Sequence, residues 1–218
     1  MINQEANQKR FKELMSKVTR EGVDDLMDYI SKTDFASAPA STHYHLCCEG
    51  GLLQHSLNVY DCMQLKRNNP LWAPFFEKVP EESIIIMSLL HDLCKVNTYV
   101  KGTKNVKTYD PEEIKAAKGI KINRDGLGDF IWKTVQAYEW HDCMPLGHGD
   151  KSVMLIQQFM KLKAHEVFAI RWHMGFSENS KENRMIGEAM EKYPIALALF
   201  EADMEASKLL EDTQDNKS

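Results

Sequence analysis

Four polar residues interrupt an otherwise oily segment, IIIMSLLHDLCKV, in an order that suits chemistry. Ser88, His91, Asp92 and Lys95 fall at i, i+3, i+4 and i+7, so a helix through this segment would carry a hydroxyl, an imidazole, a carboxylate and an amine on one face. Burying a carboxylate without partners costs several kcal/mol, so such a helix pairs its charges or gives them to a cation. A structural Asp92–Lys95 pair, with His91 bonded to a backbone carbonyl, would explain this segment taken alone. The last helical stretch repeats the anomaly: Ile195, Leu199, Ala206 and Leu210 form an apolar stripe with Asp203 in its middle. His55, in GGLLQHSLNVY, is a third polar intrusion, and one divalent cation would satisfy all three. Two imidazoles and two carboxylates suit Mn, Fe, Co, Ni or Zn, with Mg or Ca the weaker fit.

The order and local texts resemble the HD-domain superfamily of metal-dependent phosphohydrolases, whose signature is a histidine, a His-Asp doublet and a distant aspartate. GGLLQHSLNV is similar to the family's first-ligand helix, IIIMSLLHDLCKV to its doublet helix and FEADMEASKL to its final aspartate helix. The resemblance covers most of residues 43 to 210. It implies that His55, His91, Asp92 and Asp203 hold a metal. In the two-metal subset further histidines lie between the doublet and the last aspartate, and His148 in PLGHGDKSV and His173 in AIRWHMG are similar to them. Asp92 would then bridge one ion and a second.

Other polar residues read as substrate contacts. Lys95 follows the doublet by one turn, while Lys151 and Arg171 neighbour His148 and His173, and each offers a cation for a phosphate oxygen. For Lys151 and Arg171 a solvated helix face is an equal reading. His45, with His43, precedes the glycine pair as a substrate contact or a support for the ligands. His141 and His165 read as surface residues, which sets aside the second doublet, His141-Asp142. The four tryptophans read as packing.

The elements that must position these groups follow from periodicity. Residues 5 to 31 read as one helix, bent at Gly22, that covers the domain; 34 to 51 is a loop. Helices are expected from Leu52 to about Arg67, through the doublet from Pro80, after an Asp150 N-cap, over HEVFAIRWHM to Gly175, at about 181 to 191 and from about 195 to 211. The tail from Glu211 is expected to fray. Residues 97 to 147 break the rhythm and predict a small β-hairpin with a short helix near 111 to 119, inserted as a lid or rim. The expected fold is a single all-α domain, an HD-type helical bundle, with residues 1 to 33 as cover and 97 to 147 as the insertion.

Composition narrows the function. At 218 residues with 43% hydrophobic and 27% charged content, the chain is an ordinary globular protein. A net charge of −5 argues against coating duplex nucleic acid. No run approaches the roughly 18 apolar residues of a membrane span. The five cysteines show no paired spacing and read as buried free thiols in the cytoplasm. The resemblance implies hydrolysis of a phosphomonoester or phosphodiester, of a small nucleotide or short oligonucleotide, by water activated on one or two divalent transition-metal ions. The same ligands could serve a non-catalytic binding module or a di-iron oxygenase. Nothing in the sequence specifies an oligomeric state.

Overall fold

The oily run after Pro80 forms α5 (Glu81–Leu90), with Pro80 as its N-cap in extended conformation and two glutamates in its first turn. Every residue from Ser83 to Cys94 is buried, which makes this segment the axis of the core. The computed structural model describes residues 2–142, 144–176 and 181–211. The architecture is mostly helical, with one three-stranded antiparallel sheet.

Around α5 pack α1 (Gln4–Met15), α3 (Gly51–Arg67) and α8 (Ala164–Arg171), while α10 (Pro194–Glu205) lies against α3 and α8. Short α4 (Ala73–Phe76) touches α3 and α10, α7 (His148–Gln157) packs on α8, and α9 (Asn183–Lys192) packs on α10. Among the described residues no helix is long and apolar enough to cross a membrane.

The single N-terminal helix expected over 5 to 31 is two. α1 ends at Met15 and α2 (Val23–Ser31) begins anew after Gly22, whose φ of 85° lies in the left-handed region. A Cβ there would sit 1.8 Å from the Phe159 carbonyl oxygen, so backbone crowding forces glycine and ends any continuous helix. α5 also stops short of its expected end. It closes at Leu90, and a 3-10 turn over Leu93–Lys95 follows, with the Lys95 amide donating to the Asp92 carbonyl at 3.0 Å. Ser88, His91, Asp92 and Lys95 therefore do not share one continuous helical face. Asp150 caps nothing: α7 starts two residues earlier, at His148, with Gly147 as its N-cap.

The insertion is larger than a small hairpin. β1 (Tyr99–Thr108) pairs antiparallel with β3 (Gly128–Trp140) in a register running from Tyr99 opposite Trp140 to Thr108 opposite Ile131. The connection holds α6 (Pro111–Ala116) and a third strand, β2 (Asn123–Asp125), which joins β3 on its other edge. The base of this ribbon, at Tyr99 and Trp140, lies next to the 3-10 turn.

Arg20, in the connection between α1 and α2, ties three elements together. It donates to Glu82 at 3.0 Å, to Ser83 Oγ at 3.2 Å and to the fully buried Glu166 at 2.6 Å. Burial alone would raise the Glu166 pKa, but the bonds from Arg20 and neighbouring donors hold it below its ordinary 4.5. Arg20→Ala would strand this carboxylate, and urea denaturation should show a loss of about 3 kcal/mol at neutral pH. Because a depressed carboxylate stabilises the fold only above its unfolded pKa, the gap between variant and wild type should narrow as pH falls below 4.5. A gap independent of pH would show that the pair contributes nothing.

Candidate metal centre

Five elements send a polar side chain to one point beneath the base of the ribbon. α3 delivers His55, the end of α5 His91 and Asp92, the turn after α8 His173, α10 Asp203, and the first residue of α7 His148. His55, His91, Asp92 and His173 are each no more than 2% exposed. His55 Nε2 lies 3.1 Å from Asp203 Oδ1 and 3.3 Å from His91 Nε2. Asp92 turns its two oxygens to different partners: Oδ2 lies 3.6 Å from His91 Nε2, and Oδ1 lies 3.4 Å from His173 Nε2.

The imidazoles are held from behind. His91 Nδ1 donates to the Ser88 carbonyl at 2.8 Å and His173 Nδ1 to the Ile170 carbonyl at 2.6 Å. A carbonyl only accepts, so these bonds put the ring proton on Nδ1 and leave the Nε2 lone pair facing inward. His55 is held likewise, its Nδ1 lying 3.0 Å from Glu211 Oε1. The inner atoms meet few donors: His173 Nε2 and Asp92 Oδ1 are buried without a hydrogen-bond partner. Donor separations of 3.1 to 3.6 Å are those of atoms sharing one ion at about 2.1 Å in tetrahedral or octahedral order. The residues present thus fit a divalent cation. The overlapping sets His55/His91/Asp92, His91/His173/Asp203 and Asp92/Cys94/His148 could each hold one.

Burial alone would lower the His55 pKa, but the bonds and charges of Asp203 and Glu211 carry it up to about 10. Burial wins at His91, which falls to about 4. Asp92 stays well below the carboxylate range despite burial, chiefly through Lys95 and His91, and Asp203 likewise through His55. Lys95 Nζ lies 2.6 Å from Asp92 Oδ2 and donates to the Ala40 carbonyl at 2.7 Å.

A cavity of about 510 Å³ opens onto this cluster, with Asp92, His148, His173 and Asp203 in its wall. Lys95 and His45 line it as well, so both expected contacts lie at the cavity. Lys151 and Arg171 do not. Lys151 is buried against Asp142, and Arg171 pairs with Asp150 at 2.7 Å. His141 and His43 are exposed, and His165 is half-buried, 3.9 Å from Glu166.

Four participants were missed by sequence reasoning. Trp140, read as packing, lines the cavity with its ring 5.5 Å from that of His148, and Tyr99 lies beside it at 5.0 Å. Glu211, assigned to a fraying tail, is buried; the rest of that tail, 212–218, lies outside the described residues. Cys94, buried as expected, places Sγ 3.4 Å from His148 Nδ1. Not every thiol is buried, since Cys48 is exposed; Cys143 lies outside the described residues.

Binding to the folded state alone stabilises it, so Co, Ni or Mn ions at a hundredfold excess over Kd should raise stability by about 2.7 kcal/mol. Thermal unfolding with metal and with chelator measures this, and identical Tm values would remove the case for an ion. No family model, curated protein or solved structure matches the chain, so its reading rests on the residues themselves.

Proposed function

We propose that this chain is a metal-dependent phosphohydrolase of the HD type. In that reading its helices are the HD bundle and its sheet an insertion, and it cleaves a phosphomonoester or phosphodiester bond of a nucleotide or short oligonucleotide. One observation carries the reading: imidazoles held at Nδ1 aim their Nε2 atoms at the buried carboxylate of Asp92 and the partly buried carboxylate of Asp203, both in the wall of an open cavity. His55, His91, Asp92 and Asp203 would hold one ion; the second oxygen of Asp92, with His173 and His148, would hold another. Bound there, divalent ions would acidify a water and neutralise charge on a phosphoryl oxygen.

The remaining work falls to the chain. Lys95, fixed by Asp92 and the Ala40 carbonyl, keeps the shared carboxylate ionised and sets a positive charge in the cavity wall. Ser41, Thr42 and Lys208 line the same wall and offer donors to a phosphate. Trp140, Tyr99 and Tyr44 offer flat faces to a base. Burial of the ligand cluster keeps solvent to the cavity side, where the phosphoryl group would enter.

Elemental analysis of the purified protein comes first, with hydrolysis of bis(p-nitrophenyl) phosphate and a nucleotide panel under added Mn, Ni, Co, Fe or Mg. Near two equivalents of metal and metal-dependent turnover are expected. Oxygen consumption with iron would favour the oxygenase, and neither metal nor turnover the binding module. Asp92→Ala should lose both ions and all hydrolysis, and full activity in it would sink the proposal. His148→Ala should retain one equivalent. Base stacking contributes about 1–3 kcal/mol, so Trp140→Ala should raise KM for a nucleotide roughly tenfold while leaving bis(p-nitrophenyl) phosphate turnover unchanged; an equal loss on both substrates would argue against a base site.

A further inference from the structure

A ligating imidazole works best when its other nitrogen is held by an acceptor, which fixes the ring and strengthens the donor. His91 and His173 use carbonyls at the ends of their own helices. His55 cannot. It sits inside α3, where helical bonding occupies the carbonyls, so its Nδ1 needs an acceptor from elsewhere.

That acceptor is a carboxylate. Glu211, 7% exposed, lies 3.0 and 3.2 Å from His55 Nδ1, accepts from Asn58 Nδ2 at 2.9 Å and closely contacts His45 Nδ1. It follows a π-helical turn, Ala206–Leu210, that extends α10. The wider i→i+5 winding rotates Glu211 back toward the face that carries Asp203, and such turns recur at functional sites. One C-terminal element thus grips His55 at both nitrogens, Asp203 at Nε2 and Glu211 at Nδ1.

We infer that Glu211 is a positioning residue for the metal centre: it orients His55, makes it a stronger donor and links it to His45 in the cavity wall. The inference rests on the metal-centre reading above. A carboxylate behind a ligating histidine changes the ion's affinity and electronic environment, whereas a mere anchor for the chain end would change only stability.

The test is titration of Co²⁺ into the full chain, Glu211→Ala and Glu211→Gln, followed by visible absorption, with Tm measured alongside. Loss of an orienting partner weakens metal binding by about 10–100-fold. Glu211→Ala should show that loss with a shifted cobalt band. Glu211→Gln, which keeps a neutral acceptor, should lie between it and wild type. If Glu211→Ala does not fold, a roughly tenfold weaker affinity with a shifted band in Glu211→Gln carries the result. Wild-type affinity and spectrum in the folded variants, whatever their Tm, would overturn the inference while leaving the metal centre standing. Absence of cobalt binding in wild type would remove both.

Discussion

The buried carboxylate of Asp92 is the constraint around which the rest of this structure is arranged. At 2% exposure it is almost cut off from solvent, and an unpaired charge there would cost several kcal/mol. Its neighbours are what the cost requires: Lys95 on one oxygen, His173 near the other, His91 beside it in sequence. Each neighbour is in turn fixed by backbone, Lys95 by the Ala40 carbonyl and the two imidazoles by Ser88 and Ile170. The loop before α3, the end of α5 and the end of α8 are thereby drawn to one point.

Charge at that point is unbalanced. Among the described side chains that pair with them, Asp92, Asp203 and Glu211 meet one ammonium, that of Lys95, leaving two negative charges to be met. Two protons on the imidazoles can meet them, and the upward pull on His55 and His173 follows that route. One divalent cation meets them with every imidazole neutral, and then the Nε2 atoms of His55 and His91, 3.3 Å apart, share an ion instead of a proton. Protons and a divalent cation would therefore compete for the same atoms.

What the sequence revealed follows from this balance. A carboxylate within an apolar stripe stands out at helical spacing, which is why His91-Asp92 and Asp203 were legible, and the oily run before the doublet identified the central helix. Local backbone geometry was not legible. Gly22 was marked as a bend, but its being a full break depends on Phe159, far along the chain, and the stop of α5 at Leu90 leaves no mark in its composition. Lys151 and Arg171 were misplaced because nearness in sequence was taken for nearness in space; they pair with Asp142 and Asp150. Glu211 lay hidden in a polar tail. Its i+8 relation to Asp203 was visible, but only the π-helical turn gives that spacing meaning.

The placement of imidazoles at helix ends explains how a rigid cluster arises from flexible side chains. The last carbonyls of a helix have no donor within it and must find one outside. His91 lies three residues beyond Ser88 at the end of α5, and His173 three beyond Ile170 at the end of α8; each imidazole closes an open carbonyl with Nδ1. One bond thus completes the helix and aims the ring. His148, first in α7, has no such carbonyl behind it and faces the Cys94 sulfur instead, while His55, within α3, requires Glu211. The rings that end helices are oriented by their own backbone. Those that begin or lie within them depend on side chains brought from elsewhere, and that dependence makes the packing of α7 and of the C-terminal segment part of the site.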